Sequence, residues 1–184
     1  MAEKKIIPAD PNFIGRHTYL RPETSVDIEN IWHWRQLSGL SSLSSRPMLF
    51  LTPAEAAERM KAKPRDPWDQ RFAIVRKEDG QLVGAINMFD YNPLNRSIEL
   101  GIIIDPDERE KGYASDAMGV LCRYLFKFRG LNKVHAQTAE FNKGAIRLLG
   151  KLGFKRDGVL RDHYYHAGEF HAGYIYSLLA FELD

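Results

Sequence analysis

The chain has little that would tie it to an oxidising compartment, a bilayer or a polyanion. Its one cysteine, Cys122, excludes an internal disulfide. No stretch approaches the roughly 18 consecutive apolar residues of a membrane helix, and the opening MAEKKIIPAD has no apolar core of the kind a secretory signal needs. The expected setting is the cytoplasm, with no membrane partner. A net charge of +2, with basic residues spread along the chain, gives no footprint for nucleic acid. The phosphate-binding pattern G-x-x-x-x-G-K-[ST] and the dinucleotide pattern G-x-G-x-x-G are also missing. What is present, 44% hydrophobic and 27% charged residues over 184 positions, suits one well-buried core and is short for two.

The most informative stretch runs from Ser97 to Phe126. It reads as a strand over Ser97 to Ile104, a charged turn, and a helix in which Ala117, Met118, Leu121, Cys122 and Leu125 form an i, i+3, i+4 stripe. Cys122 lies on that stripe, so a buried small residue is the expectation rather than a nucleophile. The turn Arg109-Glu110-Lys111-Gly112-Tyr113-Ala114 sits where unpaired backbone N–H groups and the helix dipole favour an anion. Gly112 and the small Ala114 leave room for close approach, and a phosphate fits.

Around this stretch the expected order is β-α-α-β-β-β-α-β-α-β-β. Residues 1 to 12 read as a loose arm, and Phe13 to Arg21 as a strand. Thr24 with Asp27, and Thr52 with Glu55, are capping-box starts of two helices, the second running to about Lys63. Between them Leu37 to Ser45 is rich in Ser and Leu and reads as a flexible loop. Arg71 to Arg76, Leu82 to Tyr91 and Ser97 to Ile104 form a meander turned at Asp79-Gly80 and at Asn92 to Asn95. Lys133 to Thr138 alternates as a strand, Asn142 opens a last helix, and Phe154 to Tyr165 pairs with Phe170 to Leu183. The strand–helix–strand unit from Ser97 to Thr138 implies one parallel pair in a mostly antiparallel sheet.

Arg109 to Ala114 resembles the Q/R-x-x-G-x-G/A signature of the GCN5-related N-acetyltransferases (GNAT). Asn142-Lys143-Gly144-Ala145 followed by Lys151-Leu152-Gly153-Phe154 resembles that family's N-x-x-A/S helix and K-x-G-F end, and the tail from Gly158 is similar to the branch of ribosomal-protein-alanine and spermidine acetyltransferases. The resemblance covers the chain from about Phe13 to its end. It implies a single α/β (α+β) domain over residues 13–184: a mixed sheet of about seven strands, flanked by four helices and splayed at a cleft for acetyl-CoA, with no metal.

Carried over by position, the resemblance puts the CoA pyrophosphate on backbone N–H groups of Lys111, Gly112, Tyr113, Ala114 and Ser115, with Arg109, Glu110 and Lys111 in the same turn and the two basic residues supplying charge. It puts pantetheine along Ile102, Ile103 and Ile104, with an oxyanion donor from backbone N–H near a strand bulge at Ile102 or Ile103. Asn142 would bind the cofactor's amide arm, its alternative being a plain helix N-cap. An acceptor amine must lose a proton before attack. Glu99 is the candidate base, with an outward-facing sheet residue as its alternative and Glu140 as second choice.

For the acid this chain departs from the family pattern: Ala145, Leu149 and Ala172 stand where branches of the family have Ser, Tyr and Asp. Tyr164 is the chosen donor, beside His163 and Tyr165, and strand alternation would put His163 and Tyr165 on one face and Tyr164 on the other. His163, His166 and His171 match no metal spacing and read as hairpin surface residues. The implied reaction is acyl transfer from acetyl-CoA to a primary amine, on a small molecule, an amino sugar or a peptide N-terminus. A non-catalytic acyl-CoA-binding module is the alternative, and a homodimer through the last strands is compatible with both.

Overall fold

The computed structural model describes residues 10–37, 52, 55, 58 and 66–183. After a 3-10 turn at Pro11–Phe13 come β1 (Thr18–Pro22), α1 (Ser25–Leu37), β2 (Gln70–Arg76), β3 (Leu82–Asn92), β4 (Ser97–Ile104), α2 (Tyr113–Lys127), β5 (Lys133–Ala139), α3 (Lys143–Lys151), β6 (Lys155–His166) and β7 (Glu169–Leu179). The strands form one seven-stranded sheet in the order β1-β2-β3-β4-β5-β7-β6. Only β4 and β5 pair in parallel, as the strand–helix–strand unit requires.

Three helices stand among the described residues against the four expected. The fourth falls at 53–63, where Glu55 and Glu58 are described and both are helical. Its capping box is formed: Thr52 N donates to Glu55 Oε2 at 2.8 Å and Glu55 N to Thr52 Oγ1 at 3.3 Å. The start of α1 uses the same chemistry, with Thr24 N donating to Asp27 Oδ2 at 2.7 Å. Residues 1–9 of the expected arm and 38–45 of the Ser- and Leu-rich loop lie outside the described residues. No helix among the described residues is long and apolar enough to cross a membrane.

The stripe of α2 is buried as its periodicity requires, packing Met118, Leu121 and Leu125 on Ile98 and Leu100 of β4 and Val134 and Ala136 of β5. Burying each such side chain contributes about 1.5–3 kcal/mol. Burial pushes the Cys122 thiol up to about 12, so it is an inert core group. Leu149 of α3 joins this core, whereas α1 covers the opposite face, placing Ile31 and Trp34 on Ala85 and Ile103. Residues of β4 therefore alternate, with Ile98 and Leu100 toward α2 and Glu99, Gly101 and Ile103 toward the α1 side.

The first strand begins at Thr18, not at Phe13. Phe13 leaves the strand to pack its ring 5.3 Å from Phe72 and 4.7 Å from Tyr124. The N–H groups of Arg16, His17 and Thr18 donate to the Asp116 carboxylate at 2.9, 2.8 and 2.8 Å, and the Thr18 hydroxyl adds a fourth bond at 2.8 Å. Burial works against this carboxylate's charge, but the four bonds outweigh it and hold Asp116 below the usual range. A lowered folded-state value means stabilisation that is full above the ordinary carboxyl range near 3.9 and is lost as pH falls through the folded value. Asp116→Asn should cost about 2–3 kcal/mol at pH 7, lowering Tm by roughly 5–10 °C. Thermal melts from pH 7 to pH 3 check this, the gap between variant and wild type closing on the acid side.

Candidate active site

The parallel ladder of β4 and β5 has three rungs, Ser97 with Lys133, Ile98 with Val134 and Glu99 with His135. Beyond the last one the strands part. Residues 100–104 of β4 pair only with β3, and residues 136–139 of β5 only with β7. Two inner strand edges thus face each other across a fork, each with backbone groups that an extended, amide-bearing ligand can satisfy. Ile102, Ile103 and Ile104 lie along one arm and are half-buried. No bulge interrupts this arm: β3 and β4 stay in register from Gly84–Ile104 to Phe89–Glu99. The irregularity falls in β3 instead, before Asn92, where Asp90 takes a φ of 54°.

At the open end of the β4 arm the chain turns into α2. Glu110 adopts a φ of 62° and Gly112 a φ of 89° as the helix N-cap, a conformation glycine takes without penalty. The first backbone N–H of α2 to find a carbonyl is that of Asp116, donating to Gly112 at 3.1 Å. Among the described residues the N–H groups of Lys111, Gly112, Tyr113, Ala114 and Ser115 have no backbone acceptor, leaving a nest of donors at the positive end of a 15-residue helix. A cleft of about 500 Å³ opens on this nest, bordered by Arg16, His17, Lys111, Ser115 and Lys151. Lys111 Nζ sits 3.0 Å from Glu108, which also takes Arg76 at 3.0 Å. The hydrogen bond from Lys111 and the charge of Arg76 hold the Glu108 carboxyl below its usual value. Glu110 faces Arg147 at 3.1 Å, and Arg109 is exposed.

Asn142 caps α3, its Oδ1 accepting from Ala145 N at 3.2 Å. Glu99 stands at the crotch of the fork on the α1 side, its Oε2 3.7 Å from His135 Nε2. Glu140 is placed otherwise: its Oε1 accepts from Ala172 N at 3.1 Å and lies 3.3 Å from His171 Nδ1, prolonging the β5–β7 pairing. Tyr164 is buried, and its hydroxyl accepts from Gln137 Nε2 at 3.3 Å, with His163 Nε2 2.7 Å from the same nitrogen. His163 and Tyr164 therefore reach one side, against the alternation expected. The cause is a bulge in which Arg161, Asp162 and His163 oppose Ala172 alone, with Asp162 at a φ of 50°. His166 stacks on Phe141 at 4.8 Å, and His171 meets the same ring edge-on. Among the described residues no cluster of His, Cys, Asp and Glu could hold a metal.

The sequence model described as Acetyltransferase (GNAT) domain matches residues 17–155. The chain belongs to the GNAT family. It is 31% identical over 109 residues to the uncharacterized N-acetyltransferase YoaA of Bacillus subtilis, covering 59% of this chain and 62% of that protein. It is 30% identical over 107 residues to spermidine N(1)-acetyltransferase of Vibrio cholerae, covering 57% of this chain and 60% of that protein. The chain thus spans about three fifths of the length of these relatives. The crystal structure of spermidine N-acetyltransferase from Vibrio cholerae in complex with CoA and spermine has the same fold, with a TM-score of 0.81 at 22% identity over 91% of this chain and 98% of that one.

Within this GNAT fold, some residues converge on the site from afar and carry no local sequence signal. Arg16 and His17 reach the nest only because Asp116, a hundred positions away, holds their backbone. His135 and Gln137 were legible as a same-face pair on an alternating strand, but nothing local places that face beside Glu99.

Proposed function

We propose that this chain transfers the acetyl group of acetyl-CoA to a small cationic primary amine. The observation that carries the reading is the fork between β4 and β5, running from Glu99 and His135 toward the donor nest at Lys111 to Ser115. A strand-like arm ending in a pyrophosphate fits that line, as does the family. The nest, with Arg16, His17 and Lys151 on its rim, would take the phosphates, and the β4 edge at Ile102, Ile103 and Ile104 the pantetheine amides. When bound, acetyl-CoA supplies a thioester carbonyl open to attack by a neutral amine.

Glu99, at the fork on the α1 side of the sheet, would remove the ammonium proton, and the buried Tyr164 of β6 would be the donor. Glu99 and the exposed Asp90 offer carboxylates near the fork, and the Vibrio relative named for spermidine supports an amine of that class. Release of free thiol from acetyl-CoA across polyamines, amino sugars and peptide N-termini tests the proposal. Saturable turnover with at least one cationic amine is expected. Tight CoA binding with no turnover on the whole panel would instead favour a binding module, consistent with Ala145 and Leu149 offering no proton.

A further inference from the structure

The last rung of the β4–β5 ladder carries Glu99 and His135 opposite each other, so both side chains leave the sheet on one face at the point where the strands part. A rung paired through its backbone is a firmer mount than a loop. The pair is neither sealed nor fully solvated, with side chains 23% and 26% exposed, which leaves a path to water.

The charged groups acting on His135 come from four strands. Lys133, two residues before it on β5, is held 2.5 Å from Asp157 of β6, which also accepts the Ser177 hydroxyl at 2.8 Å. Asp90 lies at the end of β3, and Glu99 faces it from β4. Burial and then Lys133 hold the imidazole below its ordinary value, against the pull of Asp90 and Asp157. At neutral pH it is therefore an uncharged ring beside a carboxylate, with a nitrogen able to accept a proton.

We propose that His135 is the proton exit for Glu99, carrying to water the proton that the carboxylate takes from the acceptor ammonium. The proposal rests on the acetyl-transfer reading. In the step, the ammonium gives one proton to Glu99, the neutral nitrogen forms a C–N bond to the acetyl carbon, and the C–S bond to CoA breaks. Of the two protons left on nitrogen, one stays on the amide and one goes to the departing sulfur. Glu99 passes its proton to His135 Nε2, and the imidazolium releases a proton to water, returning both groups to their starting state. A separation of 3.7 Å is longer than a hydrogen bond, so the pair must close for the transfer.

The test compares wild type, His135→Gln, His135→Ala and Glu99→Gln for CoA affinity, amine kinetics against pH, and imidazole titration by NMR. His135→Gln should lower kcat about tenfold with KM for the amine within about twofold. Added imidazole should restore part of the rate of His135→Ala, which a purely structural side chain would not allow. CoA affinity should be equal in all four. In Glu99→Gln the His135 ring should titrate at least about 0.5 pH lower, because the lost negative charge had favoured the imidazolium. A His135→Gln rate and pH profile equal to wild type, or a His135 titration unmoved in Glu99→Gln, overturns the proposal while the acetyl-transfer reading stands. A wild-type protein inactive on every amine overturns both.

Discussion

Replacing Gly112 with tryptophan should remove most of the CoA binding while the fold persists. Gly112 holds a φ of 89°, and an added Cβ would meet nothing within 4 Å, so the folded chain has room for a side chain at this point. The backbone conformation disfavours any residue with a Cβ, at a cost of about 1–2 kcal/mol, which a domain of this size can absorb. The indole would then stand over the N–H groups of Tyr113, Ala114 and Ser115, where a phosphate must approach the backbone closely. A loss of at least about 100-fold in CoA affinity by calorimetry is expected, equivalent to about 2.7 kcal/mol. Asparagine tolerates a positive φ better and is smaller, so Gly112→Asn should fold normally and bind with intermediate affinity. Affinities of both variants within threefold of wild type would show that the nest is not the anion site.

If Glu99 is the base proposed, Glu99→Gln should lower kcat by about 10²- to 10³-fold with CoA affinity unchanged, the loss expected when a positioned general base is removed. Glutamine keeps the size and much of the polarity of the side chain but takes no proton. The acidic limb of the rate profile should go with it. Glu140→Gln is the informative comparison. Its Oε1 bonds Ala172 N and faces His171, and an amide oxygen can keep the first of these, so the rate should stay within about threefold of wild type. Were the two variants to lose activity in the opposite order, Glu140 would be the base and the position of Glu99 at the fork would be structural.

The local chemistry of the chain was readable in advance wherever the deciding groups are neighbours in sequence. The stripe of α2, the Thr52–Glu55 and Thr24–Asp27 caps, the Asp79-Gly80 turn and the β4 span from Ser97 to Ile104 each depend on residues within one or two turns of each other. Asn142 also did what its side chain favours and capped α3. Readings failed where a distant partner intervened. The strand expected from Phe13 is shortened by the aromatic contacts of Phe13 and by Asp116, and the alternation from His163 to Tyr165 is broken by the bulge opposite Ala172. A bulge sought in β4 at Ile102 or Ile103 is absent from its pairing with β3, whose irregularity lies at the end of β3.

By itself the sequence determined the order of the elements, the buried face of α2 and the glycine-bearing turn that opens it, because helix periodicity, capping and positive φ are set by residues a few positions apart. Only the tertiary structure decided that β4 and β5 part at Glu99 and His135, that Arg16 and His17 reach the rim of the nest, and that the carboxylate of Glu140 belongs to the β5–β7 edge. These depend on strand register and on contacts between residues up to 100 positions apart, which the packing of the whole sheet sets and no local pattern encodes.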